Sequence, residues 1–287
     1  MARLALLIAC VSLTAACQAT GKPAADEQAA RRPARVTAPQ SDMLTHSALV
    51  PCSTSEVTSR KPTKALRVAT WNIQAALSAS PEEIAAELGA MQTDIVALQE
   101  VDVRVRRTGL RDQPVVLAAA LGFHHVFAAS IKWDGGDYGL AVLSRWPLVD
   151  VRRHRLENPG GGEPRIVLEV TVCAGGRPLR LFNHHASVGA RSRDAGLAAL
   201  RALVGPAVGR GVLVLGDFNE GPDATGVRAL AHAGLVDLGA ERNLNTAGSG
   251  RIDYLFVDAP LARVASGTQV WTTRKSDHHA LIADLDW

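Results

Sequence analysis

From Leu66 to its C-terminus the chain alternates between short apolar runs and longer stretches with apolar residues at helical spacing. Several runs, such as LRVATWN and GVLVLG, are apolar throughout, which is typical of strands covered on both faces. The sequence Ser80-Pro81-Glu82-Glu83 predicts a helix start, because it combines a capping serine, a first-turn proline and a capping-box glutamate. The predicted strands are 66–72, 94–99, 123–128, 138–144, 165–172, 178–184, 211–216, 252–257 and 279–285, and further helices are predicted at 113–121, 191–204 and 223–233. Strands with interleaved helices predict one layered α/β domain over residues 65–287, in which helices cover packed sheets.

The first 64 residues lack this pattern. Residues 1–17 carry an early arginine, an apolar run and then small residues, which together predict a secretory signal peptide. Cys17 directly follows Ala15-Ala16, and this arrangement resembles the lipidation site of bacterial lipoproteins. We therefore expect export to the cell envelope with a lipid anchor at Cys17. Plain cleavage and release is the open alternative.

Residues 18–64 are rich in Ala, Pro, Ser, Thr and Arg and show no apolar periodicity. Such a composition does not bury a core, so this segment is predicted to be a disordered tether. Outside the signal, the cysteines are Cys52 and Cys173, which an oxidising compartment would allow to pair. A disulfide and two free thiols both stay open, because the sequence gives no distance between them.

The net charge of +3 is unevenly distributed along the chain. Residues 1–64 contain 8 Lys and Arg against 4 Asp and Glu, whereas residues 65–287 contain 23 against 24. A protein that binds duplex DNA non-specifically usually carries a basic footprint on its folded domain. The near-neutral domain argues against such a surface, and the small number of Trp, Phe and Tyr residues argues against a long base-stacking platform.

Polar residues follow the apolar strands at six places where a core would not select them. One such residue is more often a turn residue or a packed histidine than a ligand, and His46, His124, His125, His154 and His232 are interpreted in that ordinary way. Six places in one domain favour a functional cluster. Carboxylates and amides suit Mg²⁺ or Mn²⁺, and the lack of a cysteine cluster and of HExxH argues against zinc. The places are Asn72 in WNI, Glu100 in QE, His184 and His185 in FNHH, Asp217 and Asn219 in GDFN, Asp253 in RIDYLFV, and Asp277 and His278 in SDHH.

These motifs, in this order, resemble the endonuclease/exonuclease/phosphatase superfamily, which shares the pancreatic deoxyribonuclease fold. The similarity covers about residues 65–287, and GDFN together with SDH near the C-terminus is its most specific part. The segments Arg107-Thr108-Gly109 and Glu163-Pro164-Arg165 resemble those of compact bacterial hydrolases in the superfamily. The resemblance implies a four-layer α/β-sandwich, two packed mixed β-sheets flanked by helices, with the site where the strand ends of both sheets meet.

The resemblance also implies a metal-dependent phosphoric ester hydrolase with one or two Mg²⁺ or Mn²⁺ ions. Asp217 and Asn219 would position the attacking water and a phosphate oxygen, and the base is either Asp217 or His278. Arg165 contacts phosphate or is a surface strand residue, and both interpretations are open. At the implied metal site Glu100 would bind the ion, with Asn72 and Asp277 as further ligands or as residues that orient it. The implied catalytic residues are His185, Asp217, Asn219, Asp253 and His278, and the implied substrate-binding residues are Arg165 and His184.

We therefore expect an exported, monomeric phosphoesterase that hydrolyses phosphodiester or phosphomonoester bonds by metal-assisted attack of water. The substrate classes left open are a small phosphodiester, a phospholipid headgroup and nucleic acid. A secreted DNA endonuclease is one alternative, and a catalytically silent surface-binding protein on the same fold is another. The silent protein is disfavoured, because none of the six polar strand ends carries an apolar replacement.

Overall fold

The computed structural model describes residues 39–45, 52, 65–240, 244–248 and 250–287. The predicted signal peptide, the lipidation site at Cys17 and most of the predicted tether lie outside these residues. In this described part, no helix has the length and apolar character needed to cross a membrane.

The described strands form two mixed sheets. The first sheet has seven strands in the order β1 (Gln40–Thr45), β6 (Leu148–Arg155), β7 (Ile166–Ala174), β8 (Arg177–His185), β9 (Val212–Asp217), β11 (Asp253–Asp258) and β10 (Leu235–Asp237). The second has six strands in the order β12 (Ala265–Trp271), β13 (Ala280–Leu285), β2 (Leu66–Asn72), β3 (Ile95–Val103), β5 (Gly136–Ser144) and β4 (His124–Trp133). Strands β8 and β9 pair in parallel, as do β2 and β3, and the other neighbours are antiparallel.

The helices lie in the connections between these strands. They are α1 (Pro81–Ala90), α2 (Gln113–Leu121), α3 (Ala190–Val204), α4 (Thr225–His232) and α5 (Ala259–Ala262), with 3₁₀ turns at Gln74–Ala76, Arg106–Thr108 and Gly205–Ala207. The capping box predicted for α1 is present, because Ser80 Oγ accepts from the Glu83 N–H and the Glu83 carboxylate accepts from the Ser80 N–H.

Alternation along the strands divides the core into layers. Val68 of β2 packs between the two sheets with Leu181 of β8 and Leu213 of β9. The next residue, Ala69, faces the opposite side together with Trp71. Because successive side chains point to opposite faces, each apolar strand supplies both the central layer and an outer one.

Helices cover both outer faces. Ile84 and Leu88 of α1 pack on the outer face of the six-stranded sheet, and Leu197 and Leu200 of α3 pack on that of the seven-stranded sheet. The layers are therefore helix, sheet, sheet and helix, which confirms the predicted four-layer α/β-sandwich.

The nine predicted strands are all present, with ends displaced by a few residues at most except in two cases. β3 continues to Val103 and β4 continues to Trp133. Four strands were not predicted: β1, β6, β10 and β12. β6 has the sequence LVDVRRHR, whose polar positions conceal a strand, and β10 has only three residues.

The predicted tether contains two parts that belong to the fold. β1 pairs antiparallel with β6 at the edge of the seven-stranded sheet. Cys52 forms a disulfide with Cys173 of β7, so the open question of pairing is answered in favour of a bond. For these residues the tether prediction is corrected, because backbone pairing and a covalent bond supply the stabilisation that their polar composition lacks.

Candidate functional site

Three neighbouring strands of the seven-stranded sheet place polar side chains in one row. In the pairing register His185 of β8 lies opposite Asp217 of β9, and Asp217 lies opposite Asp253 of β11. Residues paired across strands point to the same face. All three are buried, with exposed fractions of 5%, 1% and 0%. The row brings together an imidazole and two carboxylates that are far apart in the sequence.

His278 completes the row from the loop before β13. Its Nδ1 lies 2.9 Å from Asp253 Oδ2 and its Nε2 lies 3.6 Å from Asp217 Oδ2. The backbone carbonyl of His278 accepts a hydrogen bond from Trp71 Nε1 at 3.1 Å. The imidazole is thus held between two carboxylates, with Nδ1 on Asp253 and Nε2 directed at Asp217.

The backbone around Asp253 is held by Thr246. Thr246 Oγ1 accepts hydrogen bonds from the N–H groups of Ile252 and Asp253, each at 3.1 Å, and its carbonyl accepts from the N–H of His279 at 2.7 Å. The carboxylate Oδ1 of Asp253 is buried and has no hydrogen-bond partner among the described residues. One threonine therefore links the loop before β11 to the loop that carries His278.

The glycine of GDFN is required by the close approach of two strands. Gly216 has a φ of +143°, and a Cβ at this position would lie 1.8 Å from the backbone oxygen of His184. Any side chain would separate β8 from β9 just where His185 and Asp217 face each other. Gly216 therefore allows β8 and β9 to pair closely enough for His185 and Asp217 to lie side by side.

Asn72 connects the row to the other sheet. Its Nδ2 donates to Glu100 Oε1 at 3.0 Å and to Asp217 Oδ2 at 3.1 Å, while its Oδ1 accepts from the Gln74 N–H. Because the amide nitrogen faces both carboxylates, Asn72 orients them as a hydrogen-bond donor, which is one of the two roles that the resemblance implies for it.

Glu100 sits at an irregularity of β3. Its φ is +55°, and the register of β3 against β5 shifts between Leu98 and Val101. Such bulges re-aim a side chain beside active sites. At this point the bulge directs the Glu100 carboxylate to Asn72.

Arg165 lies inside the site and is not a surface residue. It is 9% exposed, and its Nη1 lies 3.2 Å from His185 Nδ1 and also contacts the Glu163 carboxylate. Since guanidinium only donates, His185 Nδ1 accepts and the ring proton is on Nε2, which lies 3.5 Å from Asp217 Oδ2. This arrangement presents one N–H of His185 to the centre of the site.

Asn219 lies in the turn after β9 and contacts Asp217 and the backbone that follows β8. Its backbone N–H donates to Asp217 Oδ1 at 2.8 Å and its Nδ2 donates to the Ala186 carbonyl at 3.0 Å. Its φ is +49°, a conformation that asparagine tolerates better than most residues. Asn219 thereby fixes the second oxygen of Asp217.

Burial and neighbouring charges set the protonation of the row. Burial, and then the Asp253 carboxylate, raise the pKa of Asp217 to about 7. For His278 burial lowers the pKa, but the hydrogen bond to Asp253 and the nearby carboxylates outweigh it and raise the pKa to about 9. Burial, and then the Arg165 charge, hold the pKa of His185 well below its usual range. At neutral pH the row therefore contains a charged His278 beside a neutral His185.

His184 does not reach the site, which corrects its assignment as a substrate-binding residue. Its Nδ1 contacts the Ile166 carbonyl at 3.2 Å and its ring packs edge-on against Phe218 on the outer face, where α3 lies. Burial lowers the pKa of His184 to about 4. Adjacent residues of a strand face opposite sides, so only one histidine of the pair enters the row.

Asp277 does not join the row, although its charge is among those that raise the pKa of His278. Its side chain is exposed, and its Oδ1 accepts a hydrogen bond from Ser276 Oγ at 3.3 Å. Ser276 Oγ in turn lies 2.7 Å from the Asn72 carbonyl. Ligand atoms of Asp217, Asp253 and His278 lie within 4.8 Å of one another. An imidazole protonated on both nitrogens has no lone pair for a cation, so only the two carboxylates of this group are suited to contact one.

Buried amide side chains form hydrogen bonds between the two sheets near this site. Gln99 Nε2 donates to Asn183 Oδ1 at 2.7 Å, and Asn183 Nδ2 donates to the carbonyls of Leu98 and Ala141. Both amides occur in motifs that the sequence analysis had selected, but without a role. Thr246 was missed altogether, because a threonine in a polar loop has no distinctive sequence signal.

Comparison with known proteins identifies a family and a common fold. Residues 69–278 match the model of the endonuclease/exonuclease/phosphatase family. No curated protein sequence matches the chain. An endonuclease/exonuclease/phosphatase from Beutenbergia cavernae has a similar solved structure, with a TM-score of 0.61, 24% identity, and coverage of 78% of this chain and 72% of that one.

Two further solved structures come from proteins with different printed activities. An AP endonuclease from Archaeoglobus fulgidus has a TM-score of 0.62 at 20% identity, with coverage of 77% of this chain and 100% of that one. A mannosyl-6-phosphatase from Bacteroides thetaiotaomicron has a TM-score of 0.61 at 17% identity, with coverage of 78% and 100%. At these identities the likeness shows the fold, and the shared fold carries both a nuclease and a phosphatase.

Proposed function

Because the chain belongs to the endonuclease/exonuclease/phosphatase family, whose members hydrolyse phosphate esters, we propose that it is a divalent-metal-dependent phosphoesterase. The observation that carries this proposal is the buried row of His185, Asp217, Asp253 and His278, where the ends of three neighbouring strands meet the loop before β13. Hydrolysis of a phosphate ester requires positioned water and neutralised phosphate oxygens, and this row offers groups for both tasks.

In the proposed reaction Asp217 accepts the proton of the attacking water. Its pKa of about 7 suits a general base at neutral pH, and both of its oxygens are oriented by neighbours, Oδ1 by Asn219 and Oδ2 by Asn72. His278, charged and held by Asp253, donates through Nε2 to a phosphate oxygen. His185 donates from the other side through its own Nε2–H.

The donor set fits a hard divalent cation. Glu100 is the carboxylate that would hold it, aimed by the strand irregularity and oriented by Asn72, and Asp253 has a buried oxygen without a partner among the described residues. Such oxygen-rich surroundings suit Mg²⁺ or Mn²⁺. When bound, the ion would withdraw charge from the phosphate oxygens and so favour attack.

The substrate is proposed to be a small phosphate ester, with the protein acting as a monomer. The folded domain has 23 Lys and Arg against 24 Asp and Glu, which gives little attraction for a long polyanion. DNA hydrolysis is the second candidate, because nucleases are among the structural relatives by their printed names.

A substrate screen tests this proposal. Purified protein is assayed with Mg²⁺ or Mn²⁺ on plasmid DNA, bis-p-nitrophenyl phosphate, p-nitrophenyl phosphate, sphingomyelin and inositol phosphates. We expect hydrolysis of a small ester that EDTA abolishes and that Asp217→Asn also abolishes. The exposed residue Val115, on α2, supplies the matched control Val115→Ala, which should keep full activity. No hydrolysis of any of these substrates in the wild type would contradict the proposal.

We also propose export with a lipid anchor at Cys17. The Cys52–Cys173 disulfide supports the export part of this proposal, because structural disulfides persist in oxidising compartments outside the cytosol. Cys17→Ser should move the protein from the membrane fraction to the soluble fraction of cells. A wild-type protein that is already soluble after signal cleavage would contradict the anchor but leave export intact.

A further inference from the structure

A pocket next to the proposed catalytic row is lined by aromatic and charged side chains. Its volume is about 420 Å³, and its wall is formed by Arg107, Ile131, Trp133, Tyr138, Glu163 and Pro164. This volume lies in the lower part of the range for small-molecule sites. None of these residues takes part in the reaction proposed above, so the pocket has a separate role to explain.

The pocket is linked to the catalytic row by the contacts of Glu163 with Arg165 and of Arg165 with His185. Glu163 lines the pocket and accepts from Arg165 Nη1, and the same nitrogen lies 3.2 Å from His185 Nδ1. Tyr138 also lies on this boundary: burial raises the pKa of its phenol, and the nearby charges of Glu100 and Glu163 raise it further. The pocket therefore lies within reach of the organic substituent of a phosphate ester bound at His185.

Arg107 forms a fixed, flat wall. Its Nε and Nη2 each donate to the buried carboxylate of Asp102 at 2.9 Å, and Thr108 Oγ1 adds a third hydrogen bond to Asp102 at 3.1 Å. A bidentate contact of this kind locks the guanidinium plane. The motif Arg107-Thr108-Gly109 thus serves to orient one cationic plane toward the pocket.

Trp133 and Tyr138 stand against that plane. The guanidinium carbon of Arg107 lies 6.0 Å from the Trp133 ring centre and 5.3 Å from that of Tyr138. Trp133 is 48% exposed, so a large part of its ring is available to a ligand. Gly136 fixes the hairpin that carries it, because a Cβ there would lie 2.3 Å from the Val103 oxygen.

We infer that this pocket binds a planar ring of the substrate's organic group, most directly a nucleobase attached to the phosphate through its sugar. This inference rests on the proposed phosphoesterase function and names its substrate class. A guanidinium plane and an exposed indole bind flat π systems well. The charges of Arg107 and Glu163 disfavour an acyl chain, which would have to desolvate them. The volume accommodates a single nucleotide and not a duplex.

The test compares two inhibitors, of which one carries a nucleobase on its ribose phosphate and the other does not. Adenosine 5′-monophosphate and ribose 5-phosphate are measured as competitive inhibitors of bis-p-nitrophenyl phosphate hydrolysis in Mg²⁺. We expect the nucleotide to inhibit about tenfold more strongly, the effect of one stacked base. Trp133→Ala should remove most of this preference, and Trp133→Phe should retain it.

Trp133→Leu separates ring stacking from general apolar contact. Leucine keeps apolar area but has no π face, so we expect it to lose the preference as alanine does. Equal preference in Trp133→Leu and the wild type would overturn the inference, as would equal inhibition by the two compounds in the wild type. Loss of phosphatidylglycerol vesicle binding by Trp133→Ala in the Cys17→Ser chain, without loss of the nucleotide preference, would also overturn it, in favour of a membrane contact.

A binding measurement keeps this test apart from the proposed function. Saturation-transfer NMR reports which protons of adenosine 5′-monophosphate contact the protein, whether or not any ester is hydrolysed. Adenine contacts that Trp133→Ala removes, in a protein without hydrolytic activity, would leave the ring site standing and overturn the phosphoesterase proposal. Hydrolysis without adenine contacts would leave the phosphoesterase proposal standing and overturn the ring site.

Discussion

Two buried histidine–carboxylate pairs among the described residues, His154–Glu169 and His278–Asp253, have different surroundings. His154 Nε2 lies 2.6 Å from Glu169 Oε2, and His278 Nδ1 lies 2.9 Å from Asp253 Oδ2. Both imidazoles are less than a tenth exposed. By distance and burial alone the two pairs would be classed together, so the groups around them must distinguish structure from chemistry.

The His154 pair is fully satisfied. His154 Nδ1 contacts Ser41 Oγ at 2.6 Å, and Glu169 Oε1 accepts from Arg180 Nε at 2.6 Å. These contacts connect β1, β6, β7 and β8 across the edge of the sheet. With each polar atom of the pair engaged, the pair has no group left for a ligand and acts as a connection between strands.

In the His278 pair, by contrast, not every polar atom has a hydrogen-bond partner among the described residues. Asp253 Oδ1 has no hydrogen-bond partner in the part of the chain that the structure describes, and His278 Nε2 faces Asp217 at 3.6 Å. Two carboxylates lie on adjacent strands with one imidazole between them. Such an arrangement costs folding free energy, and active sites commonly retain that cost for function. The comparison teaches that unsatisfied neighbours, and not the pair itself, mark the site.

The largest expected effect comes from removing the charge that both site histidines face. Asp217→Asn keeps the shape of the side chain but removes the proposed base, so kcat should fall by about 10⁴-fold. Steady-state kinetics on the best substrate from the screen measures it. A loss below tenfold would assign the base role elsewhere, with His278 the first candidate.

The next effect tests whether His278 and Asp253 act as one unit. His278→Ala and Asp253→Asn should each reduce kcat by about 10³-fold, and the double variant should lose little more than either single one. This result follows if the carboxylate works only by orienting and charging the imidazole. Losses that multiply in the double variant would mean that the two residues act separately.

A substitution in the His154–Glu169 pair should lower the stability of the fold and leave the catalytic rate unchanged. Glu169→Gln leaves His154 and Arg180 without their charged partner, so the free energy of unfolding should fall by about 3 kcal/mol. Urea unfolding measures the loss, and kcat per folded molecule should stay at the wild-type value. A comparable fall in kcat would show that the edge network also supports the catalytic row.

The smallest effect is a difference in pH dependence. Burial raises the pKa of Glu169, but hydrogen bonds from His154 and Arg180 outweigh it and hold the pKa below its usual value. A carboxyl whose folded pKa is lowered stabilises the fold above its unfolded pKa of about 4.5 and loses that contribution as the pH falls. For His278, with a folded pKa of about 9, the contribution is complete below about 6.5 and is lost as the pH rises through 9.

Melting temperatures in EDTA at pH 4 to 10 measure this difference. The advantage of the wild type over Glu169→Gln should shrink at the acidic end, and its advantage over His278→Gln should shrink at the alkaline end, each by a few degrees. Parallel curves for the two variants would show that the two pairs do not differ in their electrostatics.

The sequence alone determined the layers of the fold and most of the polar residues at the site. Apolar runs and capping signals act over a few residues, so β2, β9 and α1 were predictable from their own segments. The same locality explains the misses: β1 at the sheet edge and its neighbour β6 have sequences too polar to reveal burial, and they form because they pair with neighbouring strands.

Only the tertiary structure decided which of these residues meet. Alternation implies that His184 and His185 face opposite sides, but the pairing of β8 with β9 decides that His185 is the one beside Asp217. In the same way, the positions of Arg107 and Trp133 beside one pocket follow from the approach of the β4–β5 hairpin to β3. Strand pairing joins segments that are distant in the sequence, and no local pattern contains the distance between them.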